Sequence, residues 1–154
     1  MDNREHPLGL DHSLGFALGV SYRKISALLA SRLRPIGLTP EQWSVLARIS
    51  EKDGQIQKEI AERAGKDKPT TTRILDGLEA KGFITRKIGP SDRRSFEVSL
   101  TEQGRNAAEL AAPVERDTIR EACAGFTAEQ YRTMMKWLDA INSNVDRILQ
   151  PETE

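Results

Sequence analysis

Apolar positions recur along this chain with a helical period at both ends and with a period of two in the middle. Leu14, Leu18, Tyr22, Ile25, Leu28, Leu29 and Leu33 return every three or four residues, the spacing of one helix face. They predict a long first helix over about 13–33, stopped by Pro35 and Gly37. Thr39-Pro40-Glu41-Gln42 predicts a restart. Thr39 caps, proline suits the first helical position, and Gln42 completes a capping box. This second helix turns Trp43, Leu46 and Ile49 inward and ends near Asp53-Gly54. A short third helix over about 57–64 is broken by Gly65. A fourth starts at Asp67 or Lys68 with Pro69 in its first turn. Thr71, Ile74, Leu75 and Leu78 form its buried stripe, and Lys81-Gly82 ends it.

The period then changes. Phe83 to Ile88 reads as a strand. In a second strand Phe96, Val98 and Leu100 alternate with Ser95, Glu97 and Ser99, which predicts one buried face. The turn formers of Gly89-Pro90-Ser91-Asp92-Arg93-Arg94 join the two as an antiparallel hairpin. Thr101 caps a helix running toward Ala124, in which Pro113 predicts a kink. Thr127 to Gln130 is another capping box, and the last helix carries Tyr131, Met134, Leu138, Ile141, Val145, Ile148 and Leu149 on one stripe. The expected fold class is mainly α with a small β-hairpin wing (α+β): four helices, a hairpin and two more helices. No repeat or low-complexity linker divides it, so one domain over 1–154 is expected.

Charge sharpens this picture. The whole chain balances 23 basic against 23 acidic residues, which argues against a surface that is basic throughout. Locally, residues 66–94 hold eight Lys/Arg and four Asp/Glu, net +4, while 106–154 hold five and nine, net −4. The central block suits phosphate and the C-terminal block does not, although fluctuation in a highly charged chain gives such differences too. The single cysteine, Cys123, excludes an internal disulfide and suits a reducing compartment. The polar N-terminus lacks an apolar signal region, and no run is long enough to span a membrane. A soluble, cytoplasmic protein is expected.

Two short helices joined by a glycine-containing turn make a helix-turn-helix, whose second helix offers its N-terminal residues to the major groove of DNA. Here that helix opens Asp67-Lys68-Pro69-Thr70-Thr71-Thr72-Arg73. Threonine hydroxyls can donate or accept, their methyls can meet thymine, and Arg73 can reach a phosphate or pair with guanine. An ordinary polar first turn is the plainer reading of the three threonines. Three β-branched residues in a row are nevertheless poor choices for helix propensity alone. Thr71 lies on the buried stripe and is the one expected to pack. At the hairpin tip Arg93 and Arg94 can reach the minor groove or flanking phosphates, with Asp92 holding an arginine or the turn backbone. Standing alone, such a tip reads as a solvated loop; directly after a helix-turn-helix it reads as a wing.

These residues carry a family resemblance. Gln57 to Gly65 followed by Asp67 to Asp76 resembles the helix-turn-helix of the MarR family. Leu78-Glu79-Ala80-Lys81-Gly82-Phe83-Ile84 resembles its passage into the wing. Asp92-Arg93-Arg94 and Leu100-Thr101-Glu102-Gln103-Gly104 resemble its wing tip and following helix, and Leu38 to Trp43 fits upstream. The resemblance implies a homodimer that binds pseudo-palindromic double-stranded operators near promoters and mostly represses. It implies recognition-helix contacts at Lys68, Pro69, Thr70, Thr72 and Arg73, and wing contacts at Asp92, Arg93 and Arg94. Gly77 departs from it, standing where many relatives carry arginine, so that contact is not carried over.

The terminal helices are apolar on one stripe, while residues 38–101 supply a winged core of their own from Leu46, Ile60, Leu75, Leu78, Phe83 and Val98. Segments 1–37 and 102–154 are therefore expected as dimerisation helices around a two-fold axis. The resemblance also implies a small aromatic or phenolic effector between the two lobes, with His12, Phe16, Ser31, Trp43 and Arg48 as candidate walls. Trp43 reads more readily as core, and His12 as a surface residue at a helix start. Cys123 reads as an inert thiol, with a redox-responsive regulator as the alternative. His6, His12 and Cys123 lack metal-ligand spacing, so no metal or cofactor is expected. Gly-rich phosphate loops, nucleophile elbows and zinc-protease motifs do not occur, which argues against an enzyme. A winged helix that binds protein is the remaining alternative. It need not keep both basic sites, Lys68–Arg73 and Arg93-Arg94.

Overall fold

A computed structural model describes residues 9–89 and 95–150. Among the described residues, six α-helices and three short strands follow one another as α1 Leu14–Leu33, α2 Pro40–Glu51, β1 Gln55–Ile56, α3 Gln57–Ala64, α4 Lys68–Ala80, β2 Ile84–Ile88, β3 Phe96–Leu100, α5 Glu102–Ala122 and α6 Ala128–Leu149. One-turn 3-10 helices precede α1 and follow it, at Leu10–His12 and Arg34–Ile36. Helix starts are where the caps place them. Thr39 and Gln42 exchange both bonds of the expected box, at 3.1 and 3.2 Å, and Thr127 and Gln130 do the same. Asp67 caps α4 by accepting from the Thr70 amide at 2.8 Å. Gly65, at φ 65, turns the chain between α3 and α4 in the left-handed region where a side chain would be strained.

The sheet runs β1-β3-β2, antiparallel throughout. Ile84 pairs with Leu100 and Ile88 with Phe96. The hairpin expected from the alternating pattern is present, and the Gly89 amide donates to the Ser95 carbonyl at 2.9 Å. The third strand was not expected. It pairs Gln55 with Val98 and Ile56 with Glu97, and two residues are too short to show a period. Gln55 is buried there because its amide nitrogen donates to the Arg48 and Lys52 carbonyls at 2.7 Å each and its oxygen accepts from Arg63. A buried amide with every bond made costs little.

The described chain falls into two compact units that divide after Thr118. In the first, Leu33, Leu46, Ile49, Ile60, Ile74, Leu75, Leu78, Ile84 and Val98 are fully buried and form one cluster. Each contributes roughly 1.5–3 kcal/mol of apolar burial, an upper bound for a compact unfolded chain. The cluster crosses the expected lobe boundaries at 37 and 101. Leu29 and Leu33 of α1 enter it from one side, Ala107, Ala108 and Ala111 of α5 from another. α5 continues as a helix through Pro113. In the second unit, α6 has no buried residue. Phe96, expected inward with Val98, is 43% exposed beside exposed Ile88.

A tight approach in the first unit joins α5 to the start of the wing. The Thr101 amide donates to the Phe83 carbonyl, the Thr101 hydroxyl to the Gly82 carbonyl, and the Gly104 amide to the Thr101 hydroxyl. A Cβ at Gly104 would lie 1.9 Å from the Phe83 oxygen. That oxygen is already fixed by Thr101, so it cannot yield. Gly104→Ala is expected to cost about 2–3 kcal/mol in urea unfolding, the range of an overpacked core. A loss below about 0.5 kcal/mol, typical of open surface sites, would show that the contact relaxes freely.

Candidate nucleic-acid interface

The rotation of α4 follows from its buried stripe. Thr71, Ile74, Leu75 and Leu78 face the core, so at about 100° per residue Pro69, Arg73 and Asp76 face away from it. Lys68, Pro69 and Arg73 are exposed, and Thr70 and Thr72 are half-buried on opposite flanks. The five recognition-helix candidates thus share the outer surface of the helix start, while Thr71 packs as expected. The wing-tip candidates Asp92, Arg93 and Arg94 lie outside the described residues.

Each flank of α4 is tied to a neighbour. On one, Arg73 donates to the Glu41 carboxylate of α2 at 3.1 Å, and Gly77 lies against Gln42, whose amide nitrogen would sit 3.0 Å from a Cβ. The Arg73–Glu41 pair is largely exposed and so contributes little. Arg73 can exchange Glu41 for a phosphate at small cost. On the other flank, the Gln57 amide nitrogen of α3 donates to the Thr72 hydroxyl at 3.0 Å. Further along, Arg86 of β2 donates to Asp76 at 2.5 Å and to Glu79 at 3.2 Å. Its side chain is only 16% exposed, so water screens this clamp less than a surface pair. The bond from Arg86 holds the Glu79 carboxyl below its usual range, and Glu79 ahead of Asp76 raises Arg86. The clamp was not foreseen, because nothing in a strand's alternation says which charge it will meet on a helix.

Between the start of α3, the start of α4 and the root of the wing lies a cleft of about 880 Å³. Lys58, Lys66, Lys68 and Arg86 line it together with Thr72 and Phe96. Glu62 lines it too, and Arg86 is held by Asp76 and Glu79, so the three lysines beside a helix N-terminus are what favours a phosphate backbone there. Lys58 was missed because its significance comes from the packing of α3 on α4. No neighbour in sequence marks it.

The effector candidates are not gathered. Trp43 is in the core, and its indole N–H donates to Glu115 of α5 at 2.8 Å. Arg48 pairs with Glu51 on its own helix, and the Ser31 hydroxyl bonds back to the Leu28 carbonyl. His12 sits in the 3-10 turn before α1, and Phe16 is in the first turn of α1. Phe16 and Ser31 are about 22 Å apart along that helix, at about 1.5 Å per residue, too far to wall one small ligand. Cys123, at the end of α5, is half-buried.

The cap of α4 also carries a pH signature. The Thr70 amide, then the Thr70 hydroxyl, hold the Asp67 carboxyl below its ordinary range. A depressed folded-state value gives stability that is present above the unfolded value and is lost as pH falls through the folded one. Asp67→Asn keeps a capping oxygen. It is expected to match wild type near neutral pH and to lose less stability on acidification, while Asp67→Ala is weaker at both. Urea midpoints from neutral to acid pH decide this. Equal acid sensitivity in wild type and Asp67→Asn would remove Asp67 from the account.

With the geometry in view, comparison with known proteins is direct. Residues 38–96 match the MarR family model. A probable transcriptional regulator from Pseudomonas aeruginosa superposes with TM-score 0.79 at 29% identity, covering 86% of this chain and 99% of its own. A MarR transcriptional regulator from Methanosarcina mazei gives 0.77 at 26%, covering 88% and 97%. The transcriptional repressor CouR, bound to a 23-mer DNA duplex, gives 0.73 at 29%, covering 87% and 94%. The matched segment contains α2, the helix-turn-helix and β2. Residues 38–96 thus carry a MarR-type winged helix-turn-helix domain, and over most of its length this chain is similar to DNA-binding transcriptional regulators of the MarR family.

Proposed function

We propose that the protein acts as a homodimer on a pseudo-palindromic operator and represses transcription from it. The observation that carries the reading is the start of α4, where Lys68, Pro69 and Arg73 stand exposed at a helix N-terminus beside the cation-lined cleft. That end of α4 enters the major groove, a phosphate strand crosses the cleft, and Arg93 and Arg94 reach from the wing tip to the minor groove or its flanking phosphates. CouR, a repressor with its DNA, supports the sign of regulation.

Exposed apolar side chains support the dimer. Leu14, Leu18 and Tyr22 on α1, and Trp137, Val145 and Ile148 on α6, are all open to solvent in a single chain. A second copy would cover them, and its symmetry would space two reading helices about 34 Å apart, one turn of DNA. An effector would act by binding two conformations unequally; this reading assigns it no residues.

Two outcomes are expected. Arg93→Ala with Arg94→Ala weakens binding to operator and to unrelated duplex alike, and flattens the salt dependence by about two units of slope, near one per lost phosphate contact. Unchanged affinity and slope in a salt titration would remove the tip from the interface. Trp137→Glu with Ile148→Glu turns the dimer into a folded monomer in sedimentation; a persistent dimer would place the interface elsewhere.

A further inference from the structure

The threonines at the start of α4 were expected to meet base edges with a hydroxyl or a methyl, Thr71 being the one expected to pack, and the structure engages the Thr71 and Thr72 hydroxyls within the protein. Thr71 is buried and donates to the Asp67 carbonyl at 2.8 Å. Thr70 meets the Asp67 carboxylate through its amide at 2.8 Å. Thr72 donates to the Lys68 carbonyl at 3.0 Å and accepts from the Gln57 amide nitrogen at 3.0 Å. The Thr71 and Thr72 hydroxyl protons are therefore taken. The major-groove acceptors, the N7 and O6 atoms of purines and O4 of thymine, require a donor. Thr72 has none to give.

What Thr72 retains is its methyl group. We infer that Thr72 reads the major groove with this methyl, so that the start of α4 selects a thymine by its C5 methyl. The inference rests on the reading of α4 as the groove-entering helix. Thymine is the one base of the four with a methyl on its major-groove edge. A helical threonine otherwise divides between two rotamers as its hydroxyl finds one carbonyl or another. Gln57, reaching across from the first turn of α3, selects the rotamer that turns the oxygen toward α3. Gln57 is thus a positioning residue, and Lys68 and Arg73 remain the donors of the turn. The residue type follows from the same geometry. Serine would keep both bonds and lose the methyl. Valine would keep a methyl and lose both bonds.

The test uses the full-length protein and the duplex it selects from a random-sequence pool. Each thymine of a half-site is replaced in turn by deoxyuridine, which removes only the methyl. Wild type is expected to lose about fourfold in affinity at one thymine per half-site, the effect of one methyl returned to water. Thr72→Ser binds the thymine and deoxyuridine duplexes equally, Thr72→Val keeps the difference, and Gln57→Leu brings the ratio toward one. If wild type is indifferent at every thymine, or Thr72→Ser keeps the fourfold ratio, the methyl reading is overturned while α4 stays a DNA reader. If no duplex is enriched from the pool, both readings fall together.

Discussion

The buried stripe of α4 is the constraint from which the rest of the interface follows. A helix has one free rotation about its axis, and four side chains fix it here. With Thr71, Ile74, Leu75 and Leu78 in the core, every other residue of the helix has an assigned direction. Lys68, Pro69 and Arg73 go outward, Thr72 goes to the cleft and Asp76 and Glu79 go toward the wing. Slipping the stripe by one residue would turn the surface by about 100°. The core thus acts on recognition without touching DNA. Arg86 extends the control to the second element, since its pair of carboxylates lies on the same helix. The hairpin root is referenced to the helix it works beside.

Much of this was legible in the sequence, and the legible part has a common character. Caps, glycine stops and periodicity act within a few residues, so they can be read without knowing the fold. Asp67, Gly65, Gly82 and the two Thr–Gln boxes all fall where local chemistry put them. The buried face of α4 was readable for the same reason. What was not legible depends on residues far apart. Gln55 is polar in sequence and buried in fact, because α2 and α3 supply its partners. Arg73 meets a glutamate 32 positions away, and Arg86 meets two acids across a helix–strand junction. Composition leaves open whether a threonine at the start of α4 meets a base with its hydroxyl or its methyl, because it records only that both exist. Whether the hydroxyl proton is available depends on backbone and on Gln57. Phe96 was expected to be buried because alternation tells which face a strand residue takes; whether that face is covered at a given position is a separate matter.

The first helix shows how one element serves two surfaces. Its apolar stripe looks uniform in sequence, yet Leu29 and Leu33 belong to the winged core while Leu14, Leu18 and Tyr22 stay open. The same spacing is used at one end for folding and offered at the other for association. α5 divides similarly along its length. Its early alanines let it approach the winged core closely, and Gly104 lets it meet the Phe83 carbonyl. Lobe boundaries drawn from sequence at 37 and 101 therefore cut through a single packed cluster.

The two tryptophans sit at opposite extremes of this arrangement. Trp43 is 5% exposed and anchored through its indole to Glu115, whereas Trp137 is 67% exposed on α6. Their fluorescence accordingly separates two events in one spectrum. Blue-shifted, quencher-resistant emission belongs to the junction of α2 with α5 and persists as long as the winged core is intact. Trp137 on α6 gives red-shifted, iodide-accessible emission in a single chain and loses both traits when the proposed second copy covers it. The chain thus carries a built-in optical probe for each of its two units.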